Sequence, residues 1–334
     1  MSDRVPCSPL RRFRRCARFF SIVGAGTFVG CAGPTSQPAP VPVASREVAG
    51  SAASASDDST PLSFAWPTGQ LQVRGIVRME YQRASGPLET LDASVGYVVT
   101  TRREQTGHLV TIEDVAIEPK GDSTYLRAEL ARSNAWIESE PAFVVDAQGR
   151  FVDARDVAEL AASAAAAVRA HPPLPPGPEL DAIVAQFTPE YMRTQIDALW
   201  SSWVANAIGL GPATEPRALS GPVVLLGGSV AAQGTASWGG LQPCGQDEPC
   251  ALVRSLVELD PDALRERIQR RLTATGSTAV IEAFQMRFSS DALLARSTML
   301  PVHIVTSTDR QFEIADGGDR GTFKESTRTD LAFE

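Results

Sequence analysis

The chain has 334 residues, 43% hydrophobic and 21% charged, a balance that excludes both a wholly disordered chain and a polytopic membrane protein. Its charge is uneven: residues 1–30 carry +5 and the remainder −13, which argues against nucleic acid as a partner, because phosphate binding needs clustered positive charge. Three His, two Lys (Lys120 and Lys324) and five Cys leave few candidates for metal or nucleophilic chemistry.

The chain opens with Arg4, Arg11, Arg12, Arg14, Arg15 and Arg18, followed by the apolar run Phe19 to Gly30. A positive flank, a short apolar core and small residues at the exit make a secretory signal peptide over 1–30. The core is about 12 residues, short of the ~20 a spanning helix needs. Arg11-Arg12 and Arg14-Arg15 also invite a twin-arginine reading, but the Phe-Leu context after the pair is missing, which favours the general secretion route. The exit, Phe28-Val29-Gly30-Cys31, resembles the bacterial lipobox, with Phe28 in place of the usual Leu. That resemblance implies a lipoprotein in which Cys31 receives a diacylglyceryl group and becomes the new N-terminus, so that its membrane partner is reached through the lipid. At ~0.8 kcal/mol per buried methylene, two or three acyl chains give long-lived attachment. Residue 32 is Ala rather than the Asp of the enterobacterial inner-membrane retention pattern, which by the same resemblance implies the outer membrane.

Residues 32–62 contain seven Ala, six Ser, five Pro and no aromatic residue, too little apolar area to offset chain entropy. They read as a disordered tether with a reach of roughly 30 Å. A single body follows over 63–334. Gln70–Arg83, Ala93–Arg102 and His108–Glu118 carry apolar residues at period two and read as consecutive antiparallel strands. Ala142–Asp153 reads as a hairpin with Gly149 in its turn. A helical block comes next: Ala154–Arg169, Glu179–Phe187, and a third helix capped by Thr188 with Pro189 in its first turn. Strands return at 223–226, 229–238 and 251–259, a helix starts at Asp260-Pro261, and strands at 278–289, 300–307, 311–315 and 321–334 complete the chain. Strands, then helices, then strands, with no βαβ rhythm, predict an α+β fold: an antiparallel, curved, half-barrel-like sheet with a helical block packed on one face.

The order of strand meander, hairpin, Trp-bearing helices and closing strands looks like that of uncharacterised bacterial lipoproteins. Their layout is similar to the periplasmic lipoprotein-carrier half-barrel, in which a curved sheet cups a hydrophobic ligand beneath helices. The similarity covers about 63–334 and brings no functional residues with it.

Cys244 and Cys250 are the two cysteines beyond Cys31, and in an exported chain they read as a disulfide. The seven-residue loop predicts about 2.4 kcal/mol of stabilisation. His108, His171 and His303 have no partner at metal-ligand spacing, so no metal or other cofactor is expected. Gly-x-Ser-x-Gly is absent. Trp200 and Trp203, at helical spacing, are the candidate ligand-binding residues, with core filling as the competing role. Glu138 and Glu140 flank Ser139 near Trp136, a pattern that would suit either a sugar site or a solvated turn. The functional expectation is a non-catalytic envelope domain that binds a hydrophobic ligand or an envelope protein. The alternative is an anchored carboxylate-dependent hydrolase.

Overall fold

The computed structural model describes residues 60–83, 86–170, 177–225, 228–245, 249–274, 276–316 and 319–334. The signal segment, Cys31, nearly all of the Ala/Ser/Pro stretch and His171 lie outside them. In chain order the strands are β1 (Gly69–Arg83), β2 (Glu89–Glu104), β3 (Gly107–Lys120), β4 (Ala142–Asp146), β5 (Phe151–Ala154), β6 (Arg217–Leu225), β7 (Gly228–Gln242), β8 (Cys250–Leu259), β9 (Val280–Ala295), β10 (Pro301–Asp316) and β11 (Asp319–Phe333). The helices are α1 (Thr124–Asn134), α2 (Val157–Ala170), α3 (Pro178–Val184), α4 (Pro189–Trp203) and α5 (Pro261–Ala274), with a short 3-10 turn at Ala205–Ala207.

The strands form one antiparallel sheet in the order β5-β4-β3-β2-β1-β11-β10-β9-β8-β7-β6. The first and last strands therefore meet in its middle, with Val73 opposite Phe333 and Tyr81 opposite Glu325. Its edges are β5 and β6, and the helical block of α2 to α4 runs between them. Strand twist curls the sheet, and bulges at Gly96/Val98, Trp238/Gly240 and Glu313/Ile314 add local bends. The fold is thus α+β, with an open, curled sheet.

Period-two alternation decides the two faces. On β1, Val73, Val77, Met79 and Tyr81 are buried inward while Gln72, Arg74 and Arg78 face solvent. Helix α4 starts as its sequence dictates: Thr188 Oγ1 accepts from Tyr191 N at 3.1 Å, Pro189 fills the first turn, and Glu190 meets the positive helix end. The block is fastened to both sheet edges. Arg193 donates to Asp153 Oδ1 of β5 at 2.8 Å. Arg217 of β6 donates to the carbonyls of Asn206, Ile208 (2.9 Å) and Ala205 (3.3 Å), closing the end of the 3-10 turn. Each edge strand is thereby tied to the helical block.

The described chain enters at one end of the half-barrel. Leu62 exchanges backbone hydrogen bonds with Leu210 and Gly209, both at 2.8 Å. Trp66 Nε1 donates to Met299 O at 3.0 Å. Phe64 lies over Gly149, whose φ of +79° requires glycine and where a Cβ would come within 2.4 Å of the Phe64 ring. The Cys244–Cys250 disulfide closes the β7–β8 hairpin at the same end.

Two elements depart from the sequence expectation. Helix α1 is one: only Leu126 and Leu130 mark its inner face, and Glu129 and Arg132 are buried there too, which hides the apolar period. Strand β10 is the other, a single 16-residue strand where the pattern reads two, because Thr308-Asp309-Arg310 interrupts the apolar alternation.

Candidate functional site

The concave face is apolar at its ends and polar in its middle. Strand register aligns Ser255 of β8, Ser290 of β9, Thr306 of β10 and Thr329 of β11 in one row across the sheet. Thr308 and Thr327 face each other in the next row, and Arg310 and Glu325 in the one after. Above these rows, α4 presents Leu199 and Ser202, and Gln195 lies one turn before Leu199 along the same helical face. Ser133 and Asn134 at the end of α1, Ile137 after it, and Asn206 complete the roof. Floor and roof enclose a seam with spaces of about 70 Å³ and about 30 Å³, the larger walled by Val77, Met79, Tyr97 and Leu199. Ser290 Oγ bridges the seam, donating to Ser202 O at 3.1 Å.

Among the described residues, buried polar atoms with no hydrogen-bond partner include both amide atoms of Gln195, Trp203 Nε1, Arg310 Nε and Glu325 Oε1, and of these residues Arg310 lines the larger space. Gln195 is fully buried. Such a group left unpaired costs roughly 1–3 kcal/mol, and a core selected for stability alone would place an apolar residue there.

At the α1 end of the seam lies a buried ion network. Arg310 Nη1 meets Glu325 Oε2 at 3.2 Å, and its Nη2 lies 3.8 Å from Glu129 Oε1. Glu129 also pairs with Arg132, whose Nε donates to Oε2 at 3.2 Å. Burial raises the Glu129 carboxyl to about 7, against the opposing pull of Arg132. Burial works against the Arg310 charge, but Glu325 and Glu129 together outweigh it and hold its pKa above the ordinary value. Burial also pushes the Tyr81 hydroxyl up to about 12. The network docks α1 onto β10 and β11.

Trp200 and Trp203 are both fully buried, and neither is among the residues lining the two spaces. Trp200 donates to Gly149 O at 2.7 Å and packs with Phe64, Trp66 and Phe143. Trp203 stacks on Tyr97 with ring centroids 6.2 Å apart. His108 lies edge-on to Phe64, and burial lowers its pKa. His303 Nε2 and Asp330 Oδ1 are 2.6 Å apart on the outer face. Glu140 accepts from the backbone of Asp114 at 3.0 Å, while Trp136 is buried. No cluster of three or more His, Cys, Asp or Glu suited to a metal occurs among the described residues.

The hydroxyl floor and the ion network are absent from the sequence expectation. Their signal is strand parity. Ile304, Phe312 and Ile314 of β10 point inward, so Thr306, Thr308 and Arg310 at the same parity must do so as well.

No family model and no curated protein matches the chain. Among solved structures, one of lipovitellin, concerned with its lipid–protein interactions, is similar at a TM-score of 0.36 and 10% identity over 80% of this chain. The match covers 25% of lipovitellin, so the chain spans about a quarter of its length. A likeness at that level says nothing of function, which has to be read from this chain's own residues.

Proposed function

We propose that the chain is an exported lipoprotein, anchored through Cys31, whose half-barrel binds an amphipathic ligand between the concave face and the helical block. The observation that carries this reading is the seam: hydroxyls on the floor, an apolar shell around them, and the unpartnered buried amide of Gln195 one helical turn from the roof residue Leu199. Its polar groups would meet the polar part of a ligand and its walls the apolar part, the division found in small-molecule sites. The two spaces, about 70 Å³ and about 30 Å³, have room for no more than a few water molecules, whereas ligand sites typically measure about 300–1,000 Å³. Binding therefore requires the roof to lift. The polar seam favours this, because separating hydroxyls and amides that water can also satisfy costs less than separating an apolar interface. The carboxylates favour binding over hydrolysis. Glu129 and Glu325 are both engaged by Arg310 and almost wholly buried, which leaves neither carboxyl free to serve as a general acid or base.

Gln195→Leu tests the reading. It removes the unpaired amide at nearly constant volume, so stability to urea rises by about 1–3 kcal/mol. Bound lipid, read by native mass spectrometry of detergent-extracted protein, falls at least tenfold. Lipid occupancy equal to that of the unaltered chain, or no copurifying lipid in either, refutes it. Separately, Cys31→Ala abolishes incorporation of radiolabelled fatty acid, and label persisting in that variant refutes the anchor.

A further inference from the structure

A cavity much larger than the spaces of the seam lies elsewhere on the molecule. It is an open groove of about 600 Å³ on the outer face of the sheet, crossing β1, β11, β10, β9 and β8. It lies toward the end of the half-barrel opposite Phe64 and Gly149, and so away from the end where residue 60 enters. Register builds its floor from two rows of outward side chains. One row is Gln82, Lys324, Gln311 and Gln285, each opposite the next. The other is Glu80, Ser326, Asp309, Arg287 and Glu258. Leu88, 53% exposed, stands at one end and Pro261 at the other.

The chemistry of the floor selects among occupants. Three acids against two bases, with Arg287 already paired to Glu258 at 3.0 Å, offer no field for a polyanion. No aromatic residue lines the groove, Arg287 is held by Glu258 and Arg310 is buried with Glu325, so the anchors that usually hold a protein partner are missing. The polar floor gives an acyl chain nothing to bury against. What remains is a dense set of planar amides and carboxylates that both donate and accept. Gln82, Gln311 and Gln285 make no side-chain hydrogen bond among the described residues. Their amides can pair N–H to O with acetamido groups, and Asp309 and Glu80 can accept from sugar hydroxyls. Successive floor positions are one strand spacing apart, about 4.8 Å, close to the repeat of a β-1,4-linked sugar chain.

We propose that this groove binds an extended neutral glycan of N-acetylated amino sugars, laid across the strands. The site goes beyond the seam and does not depend on it. The test is calorimetric titration of the purified full chain with chitohexaose. A Kd of about 1 mM or tighter is expected, weakened at least tenfold by Gln311→Ala together with Gln285→Ala. Arg74→Ala, on the outer face of β1 outside the groove, leaves the affinity unchanged. Lipid occupancy and urea stability stay as in the unaltered chain, which separates this site from the seam. The proposal is overturned by no heat of binding at 10 times that concentration, by equal affinity in the glutamine variant, or by preference for a heparin hexasaccharide over chitohexaose.

Discussion

Replacing Arg310 by Met deletes the cation that two buried carboxylates share. The side chains of Arg310, Glu325, Glu129 and Arg132 are 4%, 2%, 1% and 2% exposed, so solvent screens none of them. With all four ionised the network is neutral, two acids against two bases. Arg310→Met leaves it at −1 with Glu325 unpaired, a loss of about 3–5 kcal/mol for a broken buried pair. Arg310→Met with Glu325→Leu leaves Glu129 and Arg132 balanced, and an apolar pair in place of a buried ionic one is often neutral or stabilising. The double variant is therefore more stable than the Arg310→Met single, with a coupling of more than about 2 kcal/mol. Urea unfolding followed by tryptophan fluorescence reads this directly, since Trp136, Trp200 and Trp203 are buried. Lowering the pH from 8 to 5 protonates Glu129 and reduces the cost of the single variant. Losses that simply add in the double variant would refute the network.

Gly149→Ala combines a left-handed backbone with a clash against Phe64, and is expected to cost about 2–4 kcal/mol by thermal or urea melting. Exchanging both Cys244 and Cys250 for Ser is expected to lower stability by up to about 2.4 kcal/mol in urea unfolding, and reducing the unaltered chain should produce the same shift. For the unaltered chain, the folded state holds the Glu129 proton up to about pH 7, while the unfolded chain releases it near 4.5. Stability therefore falls as pH rises through that window, by on the order of 3 kcal/mol, and levels off above it. Glu129→Gln flattens this slope, and an unchanged slope would show that another group causes it.

How far the sequence discloses the structure depends on how each element buries its residues. Strands such as β1, with Val73, Val77, Met79 and Tyr81 inward, declare themselves because one face meets the core and the other water. Helix α4 is equally plain from Thr188, Pro189 and its apolar stripe. The seam is hidden because it breaks the pattern that makes elements visible: Thr306, Thr308 and Arg310 occupy core positions with polar side chains, so β10 reads as two strands with a loop between them. Glu129 and Arg132 conceal α1 in the same way. The pairing of β1 with β11 is also out of reach, since nothing local in either strand encodes a partner about 250 residues away. The tryptophans draw attention by size, yet Trp200 is held by Gly149 and its aromatic neighbours, while the quieter Gln195, one turn before Leu199, has both amide atoms without a partner among the described residues.

Photolabelling would locate a ligand held in the half-barrel. The full chain, incubated with a fatty acid carrying a diazirine on its chain, is irradiated, digested and mapped by mass spectrometry. Adducts are expected on the β10 and β11 peptides containing Thr306, Thr308, Thr327 and Thr329, and on the α4 peptide containing Leu199, with competition by unlabelled lipid. Adducts confined to other strands, or spread without competition, would contradict a ligand held between the concave face and the helical block.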